Sequence, residues 1–70
     1  MTNITGEIVI ISNTSIELLR SDTGRVGFFL YVANGTFNHS YIGDVITIGI
    51  NDEGIAVSCI NKRHGKMLTL

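Results

Sequence analysis

Apolar residues along this chain come in short runs rich in β-branched and aromatic side chains, and turn-forming residues separate the runs at intervals of roughly ten positions. No long window repeats apolar residues at helical spacing. The pattern therefore predicts an all-β fold. The expected strands are Gly6–Ser12, Ser15–Arg20, Arg25–Ala33, Val45–Ile50, Ile55–Ile60 and, at the end, Lys66–Leu70, with a short strand running into a loop at 36–42.

Glycines in the predicted turns define the connections between these strands. Asn34-Gly35 is a strong signal for a two-residue hairpin, because a type I′ turn needs positive φ at both central residues. Gly24 and Gly43 occupy turns in which we also expect positive φ. The chain has no proline, so every backbone N–H is available as a donor between strands. These features predict a single domain over residues 1–70, a small antiparallel barrel of five or six strands.

Two of the runs, Ile8–Ile11 and Phe28–Val32, are apolar at consecutive positions rather than at alternate ones. A closed barrel buries one side of each strand, so the other side of these strands has to pack against something else or remain exposed. On this ground the sequence predicts a homo-oligomer. The alternative is a monomer that exposes a surplus of apolar side chains.

The size and charge of the chain limit its function. Seventy residues, 44% of them hydrophobic, form one small core, so we expect a small free energy of unfolding. The net charge is −1, but residues 1–61 hold two arginines against six carboxylates, a net charge of −4, and every lysine lies after them. This balance disfavours strong non-specific binding of nucleic acid by a monomer. An oligomer that repeats the Lys62-Arg63-His64 turn would still concentrate positive charge on one surface.

The sequence gives no sign of a disulfide, a metal site, a membrane span or a signal peptide. Cys59 is the only cysteine, which excludes an intramolecular disulfide, and neither histidine has a cysteine or carboxylate at metal-ligand spacing. We expect no metal and no cofactor. No apolar run approaches 18 residues and the first residues carry no basic segment, so the sequence predicts neither a membrane span nor a signal peptide and favours the cytoplasm.

Four short segments, taken in order, resemble a known family. They are Gly6-Glu7-Ile8-Val9, Thr23-Gly24-Arg25-Val26-Gly27-Phe28, Tyr41-Ile42-Gly43-Asp44-Val45-Ile46, and Val57-Ser58 followed by Lys62. Together they resemble the RNA-binding OB repeat of the large small-subunit ribosomal protein, over residues 6 to 62. The resemblance implies an OB-like barrel that binds RNA through aromatic residues on its second and third strands and a histidine three positions after the third-strand glycine.

The chain departs from that family at most of the RNA-contact positions. Leu30 stands where the resemblance would place the histidine, and the second strand offers Ile16 and Leu18 instead of a ring. The resemblance therefore supports the fold more than the activity. A second resemblance, to the ring-forming tryptophan-sensing RNA-binding attenuator of bacilli, is carried by residues 37–40 and 43–46. The basic strand that contacts RNA in that family has no counterpart here.

Aromatic residues on the predicted third strand are the main candidates for binding. Phe29 and Tyr31 lie on one face of the strand, and Arg25 lies on the same face. Phe28 and Leu30 lie on the other face. If the Phe28 face is the inner one, Phe29 and Tyr31 form an outward pair on which bases can stack. Alternatively, the same pair fills a subunit interface. The nucleic-acid-binding residues expected on this basis are Arg25, Phe29, Tyr31, His39, Tyr41, Lys62, Arg63 and Lys66.

No motif predicts catalysis. Asp44, Asp52 and Glu53 lie in predicted turns, where carboxylates cap backbone N–H groups, and Cys59 stands in an apolar strand as a small buried hydrophobe. We therefore expect a non-enzymatic binding module, without catalytic residues, for single-stranded nucleic acid, in particular RNA. The alternatives are a protein–protein interaction module, such as an inhibitor or assembly adaptor that acts as a homo-oligomer, and a small-ligand sponge at subunit boundaries.

Overall fold

The part of the chain that the structure describes is built from β-strands. The computed structural model describes residues 2–31, 40–63, 65 and 67–69. Its strands are β1 (Thr2–Ile11), β2 (Ser15–Arg20), β3 (Val26–Tyr31), β4 (Val45–Ile50), β5 (Ile55–Asn61) and β6 (Met67–Thr69). The all-β prediction is confirmed; β2 and β4 have the predicted bounds, whereas β1 begins at Thr2 instead of Gly6. The predicted Asn34-Gly35 turn lies outside the described residues, as does most of the predicted short strand at 36–42.

Hydrogen bonding between the strands closes a ring. The strand order is β3-β2-β1-β4-β5-β6. β1, β2 and β3 follow one another as neighbours, and β4 returns after a long connection to lie beside β1, which is a Greek-key arrangement. β3 also pairs with β5, at Leu30↔Ile55 and Tyr31↔Ala56, so that β3, β2, β1, β4 and β5 form a closed five-stranded ring. β6 pairs with residues 58–60 of β5.

One pair in this ring is parallel, and the prediction of an antiparallel barrel is wrong in this respect. The neighbours from β3 round to β5 run antiparallel, whereas β3 and β5 run parallel where they meet. The number of strands is the reason. When directions alternate around a ring of five, the first and last strands point the same way, and only an even number allows antiparallel pairing throughout.

β1 is the strand that both halves of the sheet share. Residues 2–7 of β1 pair with β4, and residues 6–11 pair with β2. Gly6 lies where the two pairings overlap, and a Cβ atom there would be 2.6 Å from the backbone oxygen of Leu19. Glycine at this position therefore allows β1 and β2 to approach closely. A register shift between Ile8 and Ile10, of the kind that bends a strand, lies just beyond it.

Alternate residues of the strands point into the ring and form the core. The core side chains are Ile4, Ile8, Ile16, Leu18, Tyr31, Ile46, Ile48, Ile50, Ala56 and Cys59. The interpretation of Cys59 as a small buried hydrophobe is confirmed. Burial raises the pKa of its thiol to about 11, so the thiol is neutral at physiological pH.

Two of the predicted glycine turns lie in the described part of the chain. Gly24 has φ 70° and Gly43 has φ 97°, so the prediction of positive φ is confirmed at both. A side chain at either position would be strained in this backbone conformation. Gly43 is also fastened to β1, because its N–H donates to the backbone oxygen of Ile8 at 2.9 Å.

Candidate binding surfaces

The structure orients β3 opposite to the expected way. Phe29 is partly buried and packs against the core, and Tyr31 is 9% exposed, with its hydroxyl donating to the backbone oxygen of Ser12. Phe28 is 59% exposed and Leu30 is 51% exposed. The expectation that Phe29 and Tyr31 form an outward stacking pair is therefore wrong, and the outward aromatic residue of β3 is Phe28.

The register between β2 and β3 explains this orientation. Phe29 lies opposite Ile16, which is fully buried, so the two side chains meet inside the ring. Phe28 lies opposite Glu17, whose carboxylate would be costly to bury without a partner. Because β3 is apolar on both faces, the alternation of apolar and polar residues in β2 decides which face of β3 is buried.

Exposed apolar side chains continue from β3 onto the outer surface of β2 and β1. Leu19 lies directly opposite Val26, and both are exposed. Ile10 is exposed as well and lies on the far side of Glu17 from β3. We name this surface the apolar face; it consists of Ile10, Leu19, Val26, Phe28 and Leu30. The excess apolar surface that the consecutive apolar runs predict is therefore present on these strands.

Glu17 lies inside the apolar face, between Phe28 and Ile10 in the strand register. Within the described ranges its carboxylate makes no ion pair. A carboxylate surrounded by apolar side chains is a place where a binding partner can supply a lysine or arginine. The face thus combines hydrophobic surface with a negative charge.

The other predicted nucleic-acid-binding residues fall in different places. Arg25 is exposed immediately before β3. Lys62 and Arg63 are exposed immediately after β5, and Tyr41, also exposed, contacts Arg63. Two further predicted residues, His39 and Lys66, lie outside the described residues.

Tyr41 and Arg63 form a small group with Asp44, which we name the Tyr41–Arg63 cluster. The guanidinium carbon of Arg63 lies 5.3 Å from the centre of the Tyr41 ring, within cation–π range. Arg63 Nε donates to Asp44 Oδ2 at 3.2 Å, and the backbone N–H of Tyr41 donates to the same oxygen at 3.0 Å. Asp44 therefore positions both residues, and its charge offsets that of Arg63.

A buried polar network supports this cluster, and the sequence did not predict it. Asn61 is fully buried, and its amide nitrogen donates to Ser40 Oγ and to Asp44 Oδ2, both at 3.0 Å. Its amide oxygen accepts the backbone N–H of Arg63 at 2.8 Å. The network fastens the segment before β4 to the end of β5. Asparagine is common in turns, so the position of Asn61 after an apolar run gives no signal of this role.

Asp44 links the stability of this region to pH. The hydrogen bond from Asn61, followed by that from the backbone of Tyr41, lowers the pKa of Asp44 below its usual value of 3.8. A native pKa below the unfolded one means that the ionised carboxylate stabilises the fold at pH values above the unfolded pKa. This contribution is lost as the pH falls through the native pKa.

We expect the free energy of unfolding to fall as the pH is lowered from about 5 to about 2. We expect Asp44→Asn to be less stable at pH 7 and to lose the part of this pH dependence that comes from Asp44. Asp22 also has a lowered pKa, through its hydrogen bond with Arg20, so Asp22→Asn is the matched control that removes the part that comes from Asp22. Urea unfolding followed by far-UV circular dichroism at several pH values measures both effects. An acid dependence in Asp44→Asn equal to that of the parent protein would contradict this account.

Neither a metal centre nor a membrane helix is found in the described residues. Over 2–31, 40–63, 65 and 67–69, no three histidine, cysteine, aspartate or glutamate side chains are grouped so that they could hold a metal ion. The same residues include no helix with the length and apolar character needed to span a membrane.

Comparisons with known proteins do not assign the chain to a family. No protein-family model matches it, and neither the curated proteins nor the solved structures give a significant match. The resemblance to the OB repeats of the ribosomal protein therefore stays a prediction.

Proposed function

We propose that this protein is a non-enzymatic binding module that docks a protein partner on the apolar face. The observation that carries this proposal is the outward orientation of Val26, Phe28 and Leu30 on β3, each of which is more than half exposed. Side chains of this kind gain free energy when a complementary surface removes them from water. The partner surface that fits is apolar and places a lysine or arginine opposite Glu17.

The size of the apolar face suits a small, reversible interface. Its five side chains expose on the order of 400 Å², about half of what one partner contributes to an interface of standard size. Phe28, the largest of them, is the type of side chain that dominates binding energy when it enters a pocket. Affinity is therefore expected to depend on Phe28 and its neighbours rather than on total area.

Two carboxylates, one within and one beside the apolar face, disfavour nucleic acid as its ligand. Glu17 lies within the face, and Glu7 lies next to Leu19 in the register of β1 and β2. Carboxylates at these positions repel the phosphates of a bound strand, and protein–nucleic acid interfaces are instead rich in positive charge. The aromatic pair expected to stack on bases also faces the core. A protein partner suits this surface better.

We further propose that the ring is an OB-like barrel. Five strands in a closed ring with a Greek-key order are features of that fold. In OB folds the surface of the second and third strands is a common ligand-binding face. The apolar face lies mainly on β2 and β3, which is the same position in the fold.

The Tyr41–Arg63 cluster favours a second candidate function, the binding of single-stranded nucleic acid. The Tyr41 ring is exposed and lies next to the cationic Arg63, which follows the exposed Lys62 in the chain. An aromatic ring beside cations can stack on a base and contact phosphates. Retention of a labelled single-stranded RNA that weakens steeply with salt and is reduced in Tyr41→Ala would support this candidate; no retention at low salt removes it.

Site-specific photocrosslinking tests the proposed function. A diazirine analogue of leucine is placed at position 19, on the β2 part of the apolar face, and the protein is irradiated in native lysate. We expect a covalent adduct that protease destroys and nuclease leaves intact, and we expect Glu17→Lys to reduce its yield at least tenfold through repulsion of the partner's cation.

The same analogue at Ile42, which is 67% exposed but lies outside the apolar face, is the matched control. Equal protein adducts from positions 19 and 42 would show non-specific adhesion and contradict the proposal. An adduct at position 19 that nuclease removes would identify the face as a nucleic-acid site instead. Far-UV circular dichroism of each variant shows that the fold is retained.

A further inference from the structure

In the described part of the chain, the first residues of β3 have a paired strand on one side only. β3 pairs with β2 along its length, but it pairs with β5 only at Leu30 and Tyr31. Among the described strands, none lies beside Val26 or Phe28 on the side away from β2. Both residues are more than half exposed.

The hydrogen-bond register shows which backbone groups the edge presents. The N–H of Arg20 donates to the carbonyl of Arg25 at 2.9 Å, and the N–H of Tyr31 donates to the carbonyl of Thr14 at 3.0 Å. Bonded and non-bonded pairs alternate in an antiparallel ladder, so the residues of β3 at odd positions direct their backbone groups to β2. Val26 and Phe28 therefore direct their N–H and C=O groups away from β2, in the plane of the sheet.

These backbone N–H and C=O groups can pair with the same groups of a second copy of the chain. If a second copy of β3 runs antiparallel about a two-fold axis at Gly27, Val26 of each copy lies opposite Phe28 of the other. Each of these two pairs can exchange two hydrogen bonds, which satisfies all the outward groups of both residues. Gly27 then lies opposite Gly27, where no side chains collide.

The charges of the chain also permit this pairing. Arg25 of one copy lies opposite Phe29 of the other instead of opposite another Arg25. The two Glu17 side chains are three strand spacings apart, roughly 14 Å, which exceeds the Debye length at physiological salt. The edge from Val26 to Phe28 has no charged residue and no proline, the kinds of residue that protect exposed edges.

We propose that two copies of this chain pair edge to edge through β3 and so join their apolar faces into one continuous surface. This inference rests on the proposed function, because it gives the partner a two-fold symmetric site. The pair itself buries less than roughly 1,000 Å², an area typical of weak association. The expected dimer therefore dissociates upon dilution from millimolar to micromolar concentration.

Sedimentation equilibrium from about 10 µM to about 1 mM, with variants at position 26, tests the pairing. Val26→Pro removes the outward N–H at the first residue of the strand, where proline is tolerated, and leaves the ladder with β2 in place. Val26→Thr keeps both the N–H and the β-branch and is the matched control. We expect the parent protein and Val26→Thr to dimerise as concentration rises, and Val26→Pro to associate at least tenfold more weakly.

Amide hydrogen exchange of the unmodified protein tests the same pairing even if Val26→Pro does not fold. At millimolar concentration we expect exchange at Val26 and Phe28 to slow at least tenfold relative to micromolar concentration. The amide of Asp52, in an exposed turn away from this edge, should not change. A protein that stays monomeric at 1 mM, a dimer that persists in Val26→Pro, or fast exchange at both amides in the dimer would each overturn the proposal.

The two proposals fail separately in these experiments. In the proposed dimer Leu19 lies away from the two-fold axis, on the second strand from it, so the crosslink at position 19 reports on the partner and not on the second copy. A monomeric protein that still gives the specific adduct overturns strand pairing and leaves the partner site. A dimer without a specific adduct overturns the partner site and leaves strand pairing.

Discussion

Replacing Ile8 by alanine is expected to lower the free energy of unfolding by about 4 kcal/mol, which is large enough to unfold much of a domain of this size. Ile8 is fully buried and lies on β1, where it pairs with Leu18 of β2, also fully buried. The substitution removes three carbons from the centre of the core and leaves a cavity that rigid strands cannot close. Because the core is small, few other contacts compensate for this loss.

Urea unfolding followed by far-UV circular dichroism measures this effect, since the chain has no tryptophan to report by fluorescence. Ile10→Ala is the matched control: it is the same substitution two residues along β1, at a side chain that is 52% exposed. We expect Ile10→Ala to change the free energy of unfolding by less than about 1 kcal/mol. A loss for Ile8→Ala as small as that for Ile10→Ala would mean that Ile8 is not in the core.

Replacing Gly6 by alanine is expected to lower the free energy of unfolding by about 3 kcal/mol or more. The new methyl group would lie 2.6 Å from the backbone oxygen of Leu19 and 3.0 Å from its carbonyl carbon. Backbone atoms in a paired strand cannot rotate away, so β1 and β2 have to separate at the point where β1 passes from one partner to the other. The loss therefore affects both halves of the sheet.

Gly27→Ala provides the matched control for this prediction. Its methyl group would also come within 3.0 Å of heavy atoms, but these belong to the ring of Phe29, which is only partly buried and can shift. We expect Gly27→Ala to cost less than half as much as Gly6→Ala in the same unfolding experiment. A greater loss at Gly27 would show that the ring of Phe29, and not the backbone of Leu19, is the rigid neighbour.

The strands and turns of this fold could be predicted from the sequence, because they depend on local patterns. Turn residues flank short apolar runs, which places β2 and β4 at their observed bounds. Positive φ at Gly24 and Gly43 follows from the turns in which they stand. Ring closure between β3 and β5 depends instead on where strands distant in sequence meet, and no local pattern contains that information.

The orientation of β3 could not be predicted from β3 itself. All four residues from Phe28 to Tyr31 are apolar or aromatic. Both faces of the strand are therefore apolar, and the alternation of side chains does not show which face is buried. The deciding residue is Glu17 on the neighbouring strand, and it acts only once the hairpin register is known. The role of Asn61 was missed for a related reason: its partners Ser40 and Asp44 are distant in sequence.

The division of β1 between two partners also determines the order in which this chain can fold. The half of β1 that pairs with β2 finds its partner within the next few residues, whereas Thr5 hydrogen-bonds to Thr47 across 42 positions. During synthesis the meander of β1, β2 and β3 leaves the ribosome first, with the opening residues of β1 still lacking β4. We expect closure of that long loop to limit the rate, and folding to take about milliseconds to seconds, as is common among all-β domains.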